Sequence, residues 1–227
     1  MRSVFVLALG LLASAHAVAD EAALIRHLAP DINPAAVTQA VSAMKCAQQN
    51  GVGQTASRLA IIDYTIPSRE QRMWVVDLKQ RKLLFEEHVA HGKGSGDDIP
   101  NAFSNLNGSH QTSLGLFLTH TTYEGGNGYS LKLHGLSKGF NESAMERLIV
   151  MHGAPYVNPA AAQKLGRLGR SFGCPAVRTE VAQPLIDILK LGQFIYAYGP
   201  GTAKLSACKT EYLSLAKASV AQATTKG

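Results

Sequence analysis

The sequence predicts a mainly β fold, a β-sandwich or partly closed barrel, with peripheral helices and a small N-terminal helical segment. Three observations point there. Leu59–Ile66 and Arg72–Leu78 are rich in β-branched and aromatic residues, and Trp74, Val76 and Leu78 alternate onto one face. Many of the 21 glycines crowd the stretch from Gly92 to Gly153, which suits turns and strands better than a helical bundle. Hydrophobic residues make up 46% of the 227 and charged residues 17%, too apolar and too weakly charged for a disordered chain.

The elements follow in order. Met1-Arg2 is a short basic start, Val4–Leu12 is apolar, and Ala17-Val18-Ala19 fits the small-x-small cleavage rule. Residues 1–19 therefore read as a signal peptide, and the expected location is the periplasm or cell envelope. No cysteine lies just after the cleavage site, so no lipid anchor is expected. No later apolar run approaches the ~20 residues that span a bilayer, so no transmembrane segment is expected after the leader.

Residues 20–56 read as a helical segment. Ala22 to Leu28 forms one helix, broken by Pro30. Asn33 fits an N-cap with Pro34 at the first helical position, and a second helix runs to Gln49, ended by Asn50-Gly51. Residues 57–200 read as the main domain. Arg72–Leu78 and Lys82–Ala90 form a hairpin, and Gly92–Gly108 is a long loop. Leu114, Leu116, Leu118 and His120 alternate along a strand, and Gly125–Gly128 is a second loop. Leu148–Met151 is a buried strand that delivers His152-Gly153 at its end. Val181–Leu191 is helical and Phe194–Tyr198 is a closing strand. Residues 201–227 read as a partly helical tail.

The net charge of +6 is scattered. Its densest patches, Lys79–Lys82 and Lys164–Arg170, lack interleaved aromatics, which argues against nucleic acid. The three cysteines are read in an oxidising compartment. Cys46 and Cys208 either pair or are inert, and Cys174, in the turn Ser171-Phe172-Gly173-Cys174-Pro175, is the thiol with a chemical role.

A thiol of ordinary pKa about 8.5 needs a base or cation to become a nucleophile. His152, at the end of an apolar strand and followed by Gly153, is the candidate base. Gly173, just before the cysteine, lets backbone N–H groups converge as an oxyanion hole requires. Spacing alone leaves a second reading open, a buried structural cysteine beside a core histidine.

Met151-His152-Gly153-Ala154 followed by Gly169-Arg170-Ser171-Phe172-Gly173-Cys174-Pro175 resembles the signature of the YkuD-type L,D-transpeptidase catalytic domain. The segments His91–Gly96, Phe103–Asn105, Gly108–Gly115 and Gly139–Asn141 resemble the murein L,D-transpeptidase subgroup. The resemblance covers roughly residues 57–200. It implies an L,D-transpeptidase-like fold and a two-step acyl transfer on peptidoglycan stem peptides, with no cofactor and no metal. Cys174 would attack the carbonyl between meso-diaminopimelate and the terminal D-alanine, and His152 would take the thiol proton. The oxyanion would meet N–H groups around Gly173 and Cys174, and Gly153 O would hold the other nitrogen of His152. D-Alanine leaves a thioester, which an amine acceptor resolves into a cross-link.

Two positions depart from the family pattern. Phe172 stands where many members carry histidine, and Ala176 where they carry arginine or asparagine. His110, His120 and His134 are candidate substitutes for the histidine, and Arg178 is the nearest arginine. Ser171, Phe172, Arg170, Tyr156 and His110 are the candidate substrate-binding residues. Three rivals are an L,D-carboxypeptidase or other thiol amidohydrolase using water, a zinc hydrolase built from His88, His91, His110, His120, His134 and His152, and a non-catalytic wall-binding module.

Overall fold

The structure, a computed structural model, describes residues 18–205. Residues 1–17 of the expected 1–19 signal peptide, Cys208 and most of the expected tail lie outside the described residues.

Among the described residues two helices precede the sheet: α1, residues 18–28, and α2, Pro34–Gln49. The Asn33 side chain accepts from Ala35 N–H at 2.9 Å, Pro34 occupies the first turn, and Asn50 caps the far end. Such an N-cap satisfies an amide that has no partner inside the helix.

Eight strands then build one sheet: β1 Arg58–Asp63, β2 Met73–Asp77, β3 Lys82–Glu87, β4 Gly115–Gly125, β5 Gly128–Gly135, β6 Val150–Gly153, β7 Ala176–Val177 and β8 Phe194–Tyr198. Helix α3, Pro159–Leu165, lies between β6 and β7, and α4, Thr179–Leu189, between β7 and β8. The spatial order is β3-β2-β1-β8-β4-β5-β6-β7. β1 runs parallel to β8 and β6 parallel to β7; the other pairs are antiparallel. An isolated bridge between Ala90, just past β3, and Ala176 on β7 links the two ends of the sheet. The result is a mixed, nearly closed barrel in a single sheet, with helices around it.

Both faces of the central strands are covered. Leu59 and Ile61 of β1, Trp74 and Val76 of β2, and Phe194 and Tyr196 of β8 meet Val37, Val41 and Met44 of α2. The alternate residues Ala60, Ile62, Val75 and Ile195 meet Leu185, Ile186 and Leu189 of α4. Burial of each large side chain contributes about 1.5–3 kcal/mol. Double coverage explains why β1 and β8 read as continuous apolar runs instead of alternating ones.

The structure departs from the sequence reading in four places. Phe194–Tyr198 lies not at an edge but at the sheet's centre, between β1 and β4, paired parallel to β1 across a connection that runs through all the intervening strands. β5 lies where the sequence pattern shows only a loop and chain without a periodic signal. It pairs with β4 in a long hairpin whose turn follows Gly125, and its short mixed apolar-polar pattern hides it. Leu114 does not share a face with Leu116 and Leu118, because Gly115 adopts φ 106° between them and turns the chain. α3, with Asn158 accepting from Ala161 N–H at 3.0 Å, was not anticipated from its seven residues. No helix among the described residues is long and apolar enough to cross a membrane.

Candidate active site

β6 and β7 bring the two key residues together. The parallel register pairs His152 with Ala176 and Gly153 with Val177. Cys174 comes two residues before Ala176, so it stands beside Val150, two residues before His152 on β6. Val150 N–H donates to Cys174 Sγ at 3.5 Å, which fixes that placement. Two residues of strand rise, roughly 7 Å, separate the positions facing the sulfur and the imidazole. His152 is flanked in the sheet by Ser130 on β5 and Ala176 on β7, both small.

His152 Nδ1 donates to Gly153 O at 2.9 Å. That bond leaves Nε2 as the nitrogen able to accept a proton. Burial pushes the His152 pKa below its ordinary 6.5, and the bond to Gly153 O partly offsets this. Gly153 is required sterically: a Cβ there would come within 2.8 Å of the Ala182 Cβ on α4.

Cys174 is a free thiol, whereas Cys46 is disulfide-bonded. The sulfur donates to Leu148 O at 3.7 Å. Among the described residues no hydrogen bond joins it to His152. Burial raises the Cys174 pKa, while the Val150 N–H bond and the charge of Arg147 pull it down. Burial thus favours the neutral imidazole and the neutral thiol over a thiolate–imidazolium pair.

The turn before the cysteine is held by one hydroxyl. Ser171 Oγ donates to Cys174 O at 2.7 Å and accepts from Gly173 N–H at 3.0 Å. Gly173 takes φ 125°, a conformation that disfavours any side chain, and a Cβ there would meet Gln111 O at 2.8 Å. Of the two amides expected to hold an oxyanion, that of Gly173 is therefore engaged by Ser171. Among the described residues nothing accepts from the Cys174 amide.

The neighbouring strap His91–Gly94 braces this turn. Ser171 N–H donates to His91 O at 2.9 Å and Lys93 N–H to Ser171 O at 2.8 Å. His91 is fully buried. Arg72 Nη2 donates to its Nδ1 at 2.8 Å, so Nε2 carries the proton and faces Gly96 O at 3.4 Å. Burial first, and the Arg72 charge second, lower the His91 pKa to about 4.

The remaining candidates divide. Phe172 is 64% exposed beside the cysteine; the His110 ring lies against it at 4.7 Å between centroids, and Lys93 Nζ sits 4.3 Å over its face. Tyr156 is half-buried, with burial pushing its pKa up to about 12, and its carbonyl accepts from Gly169 N–H at 3.0 Å. Arg170 donates to Gly96 O at 2.7 Å and to Asp97 at 2.9 Å, and Arg178 forks onto Glu87 and meets Glu180. Both arginines are thus paired with acids of this chain. His120 and His134 lie out along the β4–β5 hairpin, and among the described residues no three His, Cys, Asp or Glu side chains converge to hold a metal ion. Arg147, which sequence reasoning missed, donates to Ser104 O at 2.6 Å, Ser113 Oγ at 2.5 Å, Ser109 Oγ at 3.2 Å and Gln111 O at 2.7 Å. Its position in an irregular segment before β6 carried no motif signal.

Residues 28–198 match the L,D-transpeptidase catalytic domain family, a span that begins within α1. Among solved structures, an L,D-transpeptidase from Mycobacterium smegmatis is 14% identical, with 63% of this chain and 59% of that chain covered and a TM-score of 0.38. The helical cell shape determining protein Pgp2 from Campylobacter jejuni is 12% identical over 70% of this chain and 55% of that chain, with a TM-score of 0.42. An L,D-transpeptidase from Stackebrandtia nassauensis is 15% identical over 73% and 68%, with a TM-score of 0.36. The chain therefore spans less than two thirds of the length of the first two. No curated protein matches. On the match that runs through most of its length, the chain belongs to the L,D-transpeptidase catalytic domain family.

Proposed function

We propose that the protein is a cysteine-dependent peptidoglycan L,D-transpeptidase exported to the periplasm or cell envelope behind a signal peptide of residues 1–19. The observation that carries the reading is a free, half-buried thiol one strand away from a histidine whose Nδ1 proton is fixed on its neighbour's carbonyl. That tautomer leaves Nε2 as a base.

The reaction runs from the neutral pair. The S–H bond of Cys174 swings from Leu148 O toward Nε2 of His152, which takes the proton as sulfur attacks the carbonyl before the terminal D-alanine. The Cys174 amide meets the oxyanion, and Ser171 fixes the turn from which that amide points. On collapse the C–N bond breaks, His152 returns its proton to the leaving amine, and a thioester stays on Cys174. An acceptor amine then attacks the thioester carbonyl. Its proton passes through His152 to the departing sulfur, and the thiol is restored. Phe172, with His110 and Lys93 around it, stands at the rim where the family's histidine is absent and offers an aromatic surface to the stem peptide. Arg170 and Arg178 are engaged with acids and serve the frame.

Water in place of the amine would make the same site an L,D-carboxypeptidase. Incubation with purified disaccharide tetrapeptide, read by mass spectrometry, decides among the outcomes. Dimer formed with loss of D-alanine supports the transpeptidase. Tripeptide alone indicates the carboxypeptidase, and unchanged substrate with no covalent adduct on Cys174 overturns both.

A further inference from the structure

Two residues after the cysteine stands Ala176, which carries no charge. Arg178, the nearest arginine in sequence, is forked onto Glu87 at 2.9 and 2.5 Å and also meets Glu180. Arg170 meets Asp97. The positive charge of each is therefore cancelled locally. Arg147 differs. Its four terminal N–H groups go to two carbonyl and two hydroxyl oxygens of the loop 104–113, all of them neutral. Among the described residues it makes no ion pair with a carboxylate. Its Nη2 lies 3.5 Å from where a Cβ on Gly173 would sit, one residue before the thiol.

We propose that Arg147 is a positioning residue of the Cys174 site: a guanidinium held against the turn before the thiol by neutral acceptors of the 104–113 loop, so that the segment before β6 gives that turn a positive charge not offset by a carboxylate. The inference rests on Cys174 being the nucleophile. Because the four terminal N–H groups are already engaged, Arg147 acts on the sulfur through space, by its charge, and not by binding a substrate carboxylate. A single positive charge against the turn that carries the thiol, in a partly desolvated site, favours the thiolate. The same hydrogen bonds pin the loop that lies against Gly173, so charge and backbone placement come from one side chain. The direction of the Arg147 effect on the Cys174 thiol is downward, against the burial that raises it.

The test is the pH dependence of Cys174 alkylation by neutral iodoacetamide and anionic iodoacetate, with the modified residue identified by mass spectrometry. Arg147→Met should move the iodoacetamide profile to higher pH. It should also lower the iodoacetate-to-iodoacetamide rate ratio by about threefold or more, since a nearby cation attracts the anionic reagent. Arg147→Lys, which keeps the charge and loses the fork, should hold that ratio near the wild-type value while loosening the loop. Arg147→Gln keeps amide donors for the loop and replaces the methionine variant should that one fail to fold. A pH profile and rate ratio unmoved in the neutral variants, or a ratio lost equally in Arg147→Lys, overturns the proposal. Wild-type protein that is not alkylated at Cys174 overturns instead the reading of that thiol as nucleophile.

Discussion

Three His-Gly dipeptides occur in the chain, and two of them, His91-Gly92 and His152-Gly153, flank the turn that carries Cys174. Gly92 bridges to Ser171 on one side, and His152 pairs with Ala176 on the other. Both rings are buried, and burial lowers the pKa of both. Their bonding separates them. His91 has both nitrogens engaged, one by the buried Arg72 guanidinium and one facing Gly96 O. His152 has one nitrogen on Gly153 O and, among the described residues, no protein partner on the other. Burial keeps an imidazole neutral, but only an unengaged nitrogen lets a neutral imidazole act as a base. His91 holds the strap, and His152 is the one placed to move a proton.

The sharpest break of that comparison lies at the sulfur. Cys174→Ala should abolish transfer, a loss of at least about 10⁴-fold, read by mass spectrometry of the tetrapeptide products. Residual dimer formation at the wild-type rate would remove the cysteine from the mechanism. Next come the two histidines, measured side by side. His152→Gln should lower kcat/KM by about 10²–10⁴-fold with little change in melting temperature. His91→Gln should do the reverse: turnover per folded molecule stays near wild type, and about 1–3 kcal/mol of stability is lost because a buried Arg72 N–H goes unpaired. Equal activity losses in both would dissolve the distinction.

The pH dependence separates the pair again. His91 is held neutral in the fold with its pKa near 4, below the 6.5 of an unfolded histidine. The unfolded chain therefore binds the extra proton between those values, and stability is retained above about 6.5 and lost as pH falls toward 4. A thermal-melt series across that window should show the decline, and His91→Gln should flatten it. For His152 the same direction of shift puts the acid limb of kcat/KM below pH 6.5, and a limb at or above that value would contradict the buried neutral base. The smallest effect is expected at Ser171. Ser171→Ala removes the hydroxyl between Gly173 N–H and Cys174 O, costs about 1 kcal/mol, and lowers kcat/KM by less than about tenfold, read by denaturant melts and steady-state kinetics.

Local chemistry was legible where it is written in adjacent residues. Asn33-Pro34 and Asn50-Gly51 mark the ends of α2, the alternation of Trp74, Val76 and Leu78 marks a strand, and the His-Gly and Ser-x-Gly-Cys segments mark the reactive turn. Long-range assembly was not. The last strand lies at the sheet's centre because parallel pairing with β1 depends on a crossover, which no local pattern records. Arg170 and Arg178 looked available in the sequence and are engaged by Asp97, Glu87 and Glu180, acids as far as 91 positions away. Arg147 looked ordinary and sits beside the cysteine's turn.

Sequence alone was enough to single out the candidates for the proposed chemistry: one thiol in a glycine-bounded turn and one imidazole at the end of an apolar strand. Side-chain type and short-range backbone preference are local properties, so they survive in a linear text. Only the tertiary structure decided which nitrogen carries a proton, which amide stays open and which cation keeps its charge. Each of those depends on partners that the chain meets only once its distant segments have packed and excluded water.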